Sequence, residues 1–244
     1  MLTQADVSAN HILGSLTQLD VQRLLPHLHP VNLALGDVLY RRGENPEYVH
    51  FPADCLIAKL HVMHDGTPVE VAVIGNDGMA GITLFTGGED FRGSAVTSAA
   101  GTAFRMHGEV LKDECRHDSG LHDALLRYTQ SLLTQMAQTE LCNRYHTIEQ
   151  QLCRWLLLSL DRVQARHLMV AHHPVAFVTA RQRESVANAA AKLQRNGAIR
   201  YHWGYIEVID RKKLEQLVCE CYEAVTRETA QFGAAASQSL ATSH

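Results

Sequence analysis

Six polar or charged residues lie close together in one short segment near the carboxyl end of the chain. They are Arg181, Gln182, Arg183, Glu184, Ser185 and Asn188. An apolar stripe with helical spacing follows, formed by Val186, Ala189 or Ala190, and Leu193. Gly197 stands where such a helix would end. Arginine can bind guanine O6 and N7 together, glutamate can accept from cytosine N4, and serine or helix N–H groups can bind phosphate. The segment therefore has the side chains that a helix needs to read base edges.

The charge of the chain is distributed unevenly around this segment. The 244 residues carry a formal net charge of −4, yet residues 181–213 carry +5 and the remainder carries −9. A local positive field attracts a polyanion even when the whole chain is acidic. A solvated basic face on a helix is the alternative interpretation of the same charges.

A hairpin is predicted directly after the helix. Residues 199–209 show the pattern of two strands joined at Trp203-Gly204, with Ile206 and Val208 turned inward. Trp203 and Tyr205 could pack the hairpin against the helix or lie against a DNA backbone. A helix followed by a hairpin predicts a winged helix-turn-helix.

The amino-terminal half has the turn spacing of an antiparallel sheet protein. Between residue 30 and about residue 110, turn signals recur roughly every ten residues, with β-branched runs between them. Residues 69–74 fit a half-buried strand, and Asp65-Gly66 suits a tight hairpin just before it. We therefore predict a β-roll in this half.

A long amphipathic helix is predicted after the roll, from Asp118 or Ser119 to about residue 145. Its apolar stripe consists of Leu121, Leu125, Tyr128, Leu132 and Met136. The roll could cover part of this stripe, and a parallel copy from a second subunit could cover the rest. The sequence therefore favours a homodimer with these residues in its dimer helix.

A second helix is expected from Thr147 to about Arg162, and residues 143–147 are the expected joint between the two halves. The residues that would form the core face of this helix are Leu152, Trp155, Leu156 and Leu160. The small and polar tail after Phe232 is predicted to be flexible.

Composition narrows the class of protein. The 46% of hydrophobic residues supports packed cores. A basic leader followed by an apolar run is not seen at the amino terminus, and the apolar segment 155–160 is too short to span a bilayer. We expect a soluble, cytoplasmic protein with no membrane partner. Motifs of hydrolases and nucleotide-binding enzymes are not found, so the chain is not expected to be an enzyme.

Cysteines and histidines raise the question of a metal. The six cysteines contain no C-x-x-C pair, and Cys219-x-Cys221 is too closely spaced for an ordinary zinc pair. No cysteine cluster precedes Cys55, which disfavours an iron–sulfur sensor of the four-cysteine kind, and no iron–sulfur cluster is expected. Histidine pairs occur at 27 and 29, 61 and 64, and 172 and 173, without a third ligand by spacing. We expect reduced, mostly buried thiols and no metal.

Taken together, residues 20–225 resemble the Crp/Fnr family of transcription regulators. In the carboxy-terminal half the resemblance rests on RESV at 183–186, KLQRNG at 192–197, IRY at 199–201 with Gly204, and residues 209–210. In the amino-terminal half it rests on GNDGMAG at 75–81 and RGSA at 92–95. The resemblance implies an α+β fold with a cyclic-nucleotide-binding-like jelly roll, a dimerisation helix and a winged helix-turn-helix. The implied domains are a sensory β-roll with amino-terminal helices at 1–118, the dimerisation helix at 119–145, the DNA-binding domain at 146–231 and a flexible tail at 232–244.

The resemblance also implies which residues contact DNA. Base contacts would fall to the first turns of the helix, and backbone contacts to Ser185, Lys192 and the wing. The whole implied set is Arg181, Gln182, Arg183, Glu184, Ser185, Asn188, Lys192, His202, Trp203 and Tyr205. Members of the family bind two-fold symmetric sites in double-stranded DNA as homodimers. RNA polymerase is a further candidate partner.

The roll departs from the family's phosphate-binding cassette at both of the residues that bind cyclic AMP in that family. Ile82 follows Gly81 where the family has Glu, and Gly93 precedes Ser94 where the family has Arg. Each lost charge-assisted bond is worth about 1.5–3 kcal/mol. Arg92 lies one residue before the position of the family's Arg. On a regular strand its side chain would therefore point to the face opposite the pocket, unless a bulge shifts the register. The implied pocket residues are Gly81, Ile82, Arg92, Ser94, Ala95 and Thr139. Usual cyclic AMP binding is therefore disfavoured, and the pocket would take another effector or none.

The first helix of the helix-turn-helix also departs from the family, in residues 171–178. Ala171 stands where the family usually has a capping Thr, and loss of the cap lowers the stability of the helix by about 0.5–2 kcal/mol. Ala180 stands at the turn, where the family usually has Gly. The favoured function is a sequence-specific DNA-binding transcriptional regulator of the Crp/Fnr type. The alternative is a small-molecule or protein-contact sensor with a degenerate DNA reader.

Overall fold

The chain folds into an amino-terminal β-roll and a carboxy-terminal helix–hairpin unit, which two long helices connect. The computed structural model describes residues 2–44, 46–88, 93–116, 120–163, 167–169, 183–202 and 205–230. The predicted α+β class, with antiparallel sheets in both halves, is confirmed. The predicted first helix at 171–178, the turn at Trp203-Gly204 and the tail at 232–244 lie outside the described residues.

Two antiparallel sheets make up the predicted β-roll. Its strands are β1 (His29–Leu33), β2 (Val38–Tyr40), β3 (Tyr48–Pro52), β4 (Leu56–Val62), β5 (Pro68–Ile74), β6 (Gly93–Ala99) and β7 (Gly101–His107). One sheet has the order β1-β7-β3 and the other the order β2-β6-β4-β5. Strands β4 and β5 form the predicted hairpin, and Gly66 in its turn has a φ of +84°, which a residue without Cβ adopts readily.

Short helices close one end of the roll. They are α1 (Gln4–Val7), α2 (His11–Gly14), α3 (Gln18–Leu24), a 3-10 turn (Leu25–His27), α4 (Thr83–Thr86) and α5 (Gly108–Arg116). Asn10 ties α2 to the roll, because its buried side-chain amide donates to the carbonyls of Pro52 and Gly78, both at 2.9 Å. The main core lies between these helices and the first sheet.

Helix α6 (Gly120–Tyr145) confirms the predicted long helix but corrects the role of its apolar stripe. Four members of the stripe (Leu121, Leu125, Tyr128 and Leu132) are buried in the core of their own roll, and Met136 packs against the same core. Tyr128 also donates its hydroxyl to the carbonyl of Met79 at 3.0 Å. Periodicity identifies the most apolar face of a helix but not the partner that covers it.

A second apolar face of α6 is exposed in the single chain. Leu126, Leu133 and Leu141 are 50%, 57% and 46% exposed. Leu126 and Leu133 are seven residues apart, and exposed Ala137 continues the line toward Leu141. Residues seven apart lie almost above one another on an α-helix. This face, defined here as the outer face, is distinct from the predicted stripe.

Helix α7 (Ile148–Val163) confirms the second predicted helix. Thr147 and Gln150 form a reciprocal cap at its start, since each side chain accepts from the other's backbone N–H, at 3.3 Å and 3.0 Å. The helix is buried along most of its length because it packs against the roll on one side and the carboxy-terminal unit on the other.

The carboxy-terminal unit contains the predicted helix and hairpin. Its elements are β8 (His167–Met169), α8 (Arg183–Arg195), β9 (Ile199–His202), β10 (Tyr205–Val208), α9 (Arg211–Leu217) and a further helix, α10, at residues 221–230. The three strands form a sheet in the order β8-β10-β9. Gly197 follows α8 with a φ of +69°, as predicted for the end of that helix. Within the described residues, no helix has the length and apolar character needed to cross a membrane.

Candidate nucleic-acid interface

Helix α8 presents a polar face to solvent. The exposed residues on it include Glu184, Ser185, Asn188, Lys192 and Arg195, which follow one another at spacings of one, three, four and three residues. The opposite face, formed by Ala189, Ala190 and Leu193, is buried in a core shared with α7. Because the buried apolar residues lie on one side of α8, the polar side stays exposed. This exposed side could enter the major groove of DNA, which is wide enough for an α-helix.

The predicted DNA-binding residues differ in how the structure describes them. Arg183 is the first residue of α8, and Arg181 and Gln182 lie outside the described residues. His202 and Tyr205 pair across the hairpin strands. Trp203 lies outside the described residues. Of the predicted set, the structure therefore places Glu184, Ser185, Asn188 and Lys192 on one exposed helix face.

Hydrogen bonds hold the hairpin and α9 against the end of α8. The amide of Tyr201 donates to Gln194 Oε1 at 2.7 Å, and the amide of Ala198 donates to the carbonyl of Leu193 at 2.9 Å. Lys213 of α9 donates to the carbonyl of Asn196 at 2.8 Å. These contacts set the position of the wing relative to the polar face of α8.

Two exposed ion pairs lie on this surface. Lys192 is 3.5 Å from Glu149 of α7, and Arg200 is 2.7 Å from Glu207 across the hairpin. Exposed pairs of this kind stabilise a protein by about 0–1 kcal/mol. A phosphate can therefore replace either carboxylate at little cost. Sequence reasoning did not single out Arg195 and Arg200, although both belong to the positive window that it identified.

An open, mostly apolar groove of about 270 Å³ lies between the roll and α6. Its lining residues are Lys59, His61, Ile82, Thr83, Thr86, Thr129, Leu132, Leu133 and Met136. The groove takes residues from β4, α4 and α6, so a small ligand in it could touch both the roll and α6.

The groove contains only part of the predicted effector pocket. Ile82 lines it and Gly81 directly precedes Ile82, while Arg92 lies outside the described residues. Ala95 is instead buried in the core inside the roll. Ser94 is buried on the same strand, next to Ala95. Thr139 lies seven residues beyond Leu132 on α6, about 10 Å along the axis, and is 3.2 Å from Arg154. The fold therefore does not bring Ala95 and Thr139 to this groove.

A buried polar network joins the roll to α7. Arg162 Nε donates to Asp77 at 2.8 Å, and its terminal nitrogen donates to Gln135 at 3.4 Å. Gln135 in turn donates to the carbonyl of Val73 at 3.1 Å. Gly75 makes room for Arg162, because a Cβ on Gly75 would clash with the Cβ of Arg162. The network therefore connects α6, α7 and the end of β5 as one unit.

Glu70 of β5 belongs to the same interface and is buried. Trp155 of α7 donates its indole N–H to Glu70 at 3.1 Å. Burial raises the pKa of Glu70 to about 7, although the Trp155 hydrogen bond and the charges of Arg154 and Arg162 act in the opposite direction. Glu70 is therefore partly protonated near neutral pH.

We expect Glu70 to make the protein more stable in mild acid than at alkaline pH. A carboxyl whose folded-state pKa is raised stabilises the protein fully below its unfolded pKa, and this contribution is lost as pH rises through the folded value. The free energy of unfolding should fall by up to about 3 kcal/mol between pH 5 and pH 8 relative to the Glu70→Gln variant. Urea unfolding at several pH values measures the difference. Glu109→Gln, at an exposed site, is the control and should follow the wild type.

The fold also brings together four side chains that could hold a metal. Cys142 of α6 and His146, directly after α6, meet Cys219 and Cys221, which lie between α9 and the start of α10. Neither the spacing between cysteines nor the spacing between histidines indicates this cluster, because its ligands come from two distant segments and combine both residue types. The signal present in the sequence is Cys142-x-x-x-His146, since residues four apart share one face of a helix.

Comparison with known proteins agrees with this architecture. Residues 150–217 match the family described as a Crp-like helix-turn-helix domain. Among solved structures, a Crp/Fnr-family transcriptional regulator from Eubacterium rectale is 11% identical with a TM-score of 0.64, covering 86% of this chain and 98% of that chain. FixK2 from Bradyrhizobium japonicum is 17% identical with a TM-score of 0.61, covering 79% of this chain and 98% of its own.

A third similar structure is CLP from Xanthomonas campestris, described as a c-di-GMP responsive global regulator. It is 14% identical with a TM-score of 0.59, and the match covers 79% of this chain and 99% of that chain. No curated protein sequence matches the chain. The likenesses at this level of identity establish the fold.

Proposed function

The chain has the fold of the Crp/Fnr-family regulators and a Crp-like helix-turn-helix domain at residues 150–217, and we propose that it is a sequence-specific DNA-binding transcriptional regulator. The observation that carries the proposal is the division of α8 into two faces. Its apolar face is buried in the core shared with α7, and its polar face is exposed. A helix held in this way can enter a major groove without losing its packing.

The amino-terminal turns of α8 are the proposed reading end. Arg183, Glu184 and Asn188 are of the residue types that bind base edges, and Ser185 suits a phosphate oxygen. The helix amino terminus adds a partial positive charge near the DNA backbone. Lys192 and the hairpin lie further along and are assigned to the backbone.

We propose that the protein acts as a homodimer through the outer face of α6. Three exposed leucines in line on one helix are costly in water, and a parallel copy of the same helix buries both sets. A two-fold axis along α6 relates two copies of α8, which suits a two-fold symmetric DNA site. The proposal keeps the predicted dimer helix but assigns the contact to Leu126, Leu133, Ala137 and Leu141.

We propose that the effector, if one is used, occupies the groove between β4, α4 and α6. Ile82 lines this groove at the sequence position where the family has the Glu that holds the ribose of cyclic AMP. An apolar side chain there offers no acceptor to a ribose hydroxyl. Cyclic AMP in the usual pose is therefore not the proposed ligand.

Fluorescence anisotropy with two DNA duplexes tests the function. The protein is titrated against labelled DNA from upstream of its own gene and against a scrambled duplex, at two salt concentrations, with and without cyclic AMP or c-di-GMP. We expect preference for the natural sequence, a steep salt dependence and no effect of cyclic AMP. Equal affinity for both duplexes under every condition would contradict the proposal and favour a sensor with a degenerate reader.

Arg183→Ala should weaken binding to the preferred duplex by about 1–3 kcal/mol and leave binding to scrambled DNA nearly unchanged. The reason is that a base contact is lost only where the matching base is present. The same anisotropy titration measures both affinities. Arg116→Ala is the matched control, because Arg116 is an exposed arginine of α5 paired with Asp113 and lies on the roll. An equal loss on both duplexes would show that Arg183 binds only phosphate.

A further inference from the structure

Two distant segments of the chain bring four metal-ligating side chains to one place. Cys142 and His146 lie one turn apart at the carboxyl end of α6, and Cys219 and Cys221 lie on either side of Glu220 after α9. Their three Sγ atoms and one ring nitrogen all lie within 4.8 Å of one another. The cluster therefore joins the long helix to the end of the carboxy-terminal unit.

The distances within the cluster suit a single ion. Cys142 Sγ is 3.6 Å from Cys219 Sγ, and Cys221 Sγ is 3.6 Å from His146 Nδ1. Zinc bonds of about 2.3 Å to sulfur and 2.0–2.1 Å to nitrogen, at tetrahedral angles, place neighbouring ligand atoms roughly 3.5–3.8 Å apart. These two separations fall in that range, and the remaining ones are at most 4.8 Å.

Groups around the cluster already orient its histidine. Nε2 of His146 is 3.3 Å from a carboxylate oxygen of Glu220, while Nδ1 faces Cys221. A metal-bound histidine commonly donates its other ring N–H to a carboxylate, which fixes the ring and strengthens the ligand. Gln151 of α7 also donates to the carbonyls of Cys142 and His146, at 3.3 Å and 2.9 Å. The last turn of α6 and the residue directly after it are therefore held with both ligands in place.

Burial distinguishes this cluster from a chance group of surface residues. Cys142, Cys219 and Cys221 are all buried and form a small core of their own. His146 is half-buried, at the edge of the cluster. Three thiols and an imidazole make a closed set of four ligands, which is typical of a structural zinc site rather than a catalytic one with an open position.

We propose that Cys142, His146, Cys219 and Cys221 bind one zinc ion. Thiolate and imidazole donors in a tetrahedral arrangement select zinc over calcium or magnesium, which prefer oxygen ligands. The ion joins the carboxyl end of α6 to the segment between α9 and α10. It therefore holds the carboxy-terminal unit in one position relative to the long helix, whether or not the unit binds DNA.

Metal analysis of the full-length protein tests the site. The protein is purified under reducing conditions after expression with added zinc, and we expect about one zinc ion per chain. Cys142→Ser and Cys219→Ser should each lose nearly all of it. Cys115→Ser is the matched control, because Cys115 is a half-buried thiol of α5 outside the cluster, and it should keep the zinc. Zinc that is retained in both cluster variants would overturn the proposal.

Cobalt substitution of the wild-type protein gives a test that does not depend on folded variants. Co²⁺ at a tetrahedral site with three sulfur ligands should give visible absorption bands and a sulfur-to-metal charge-transfer band, and one equivalent of Zn²⁺ should remove them. Glu220→Gln should keep the bands but weaken zinc affinity by about 10-fold, as expected of a residue that positions the histidine. Absence of these bands in reduced protein, or a Cys142–Cys219 disulfide found by mass spectrometry of protein that takes up no metal, would overturn the proposal.

Discussion

Replacing Leu126 and Leu133 together with glutamate should convert the protein to a monomer and weaken its binding to a two-fold symmetric DNA site by at least about 100-fold. Leu126 and Leu133 are 50% and 57% exposed in the single chain. Glutamate is therefore tolerated at both positions when the subunit is alone. In the proposed dimer the same positions face their own copies, and four carboxylates would meet in a water-poor contact. The DNA effect follows because a monomer engages only one half of the site.

Sedimentation velocity and anisotropy titration of the same preparation measure the two parts of this prediction. Leu19→Glu is the matched control, because Leu19 is a highly exposed leucine of α3 on the roll. It should change neither the oligomeric state nor the affinity. A dimer that survives the double substitution would contradict the assignment of the contact to the outer face. A substitution at Leu125 or Leu132 would not make this distinction, because both side chains lie in the core of the subunit.

Replacing Arg162 with methionine should destabilise the protein by about 3–5 kcal/mol. The change leaves the nearly buried carboxylate of Asp77 without the guanidinium that lies 2.8 Å away. It also removes the donor that lies 3.4 Å from Gln135. Removing one member of a buried pair is costly because the remaining charge has lost both water and its partner. Urea unfolding followed by circular dichroism measures the loss.

The double variant Arg162→Met with Asp77→Asn identifies the cause. If the unpaired carboxylate is responsible, the second change should restore part of the lost stability, since a neutral amide costs less to bury than a charge. Arg23→Met breaks an exposed pair with Asp20 and should cost at most about 1 kcal/mol. Equal losses in Arg162→Met and Arg23→Met would show that the buried network contributes little.

Local patterns in the sequence predicted the elements well. Asp65-Gly66, the strand beginning near residue 69 and Gly197 at the end of α8 depend on backbone preferences that act over a few residues. The split of α8 into an apolar and a polar face follows from helical periodicity in the same way. These features can be predicted because neighbours along the chain determine them.

Features that depend on distant residues were not predicted from the sequence. Periodicity identified the stripe from Leu121 to Met136 but could not show that the roll buries four of its five residues. The contact of Gly75 with Arg162 joins positions far apart in sequence, and no property of either residue alone indicates it. The same is true of Cys142 and Cys219, which only the packing of α6 against the carboxy-terminal unit brings within 3.6 Å.

Leu133 belongs to two surfaces at once. It lines the groove between the roll and α6, and it stands in the middle of the outer face. In the proposed dimer, occupancy of the groove and self-association are therefore thermodynamically linked through one side chain. A ligand that contacts Leu133 can change the free energy of dimerisation. By reciprocity, its free energy of binding then differs between dimer and monomer by the same amount. A titration of the oligomeric state against ligand concentration would then report binding without any DNA.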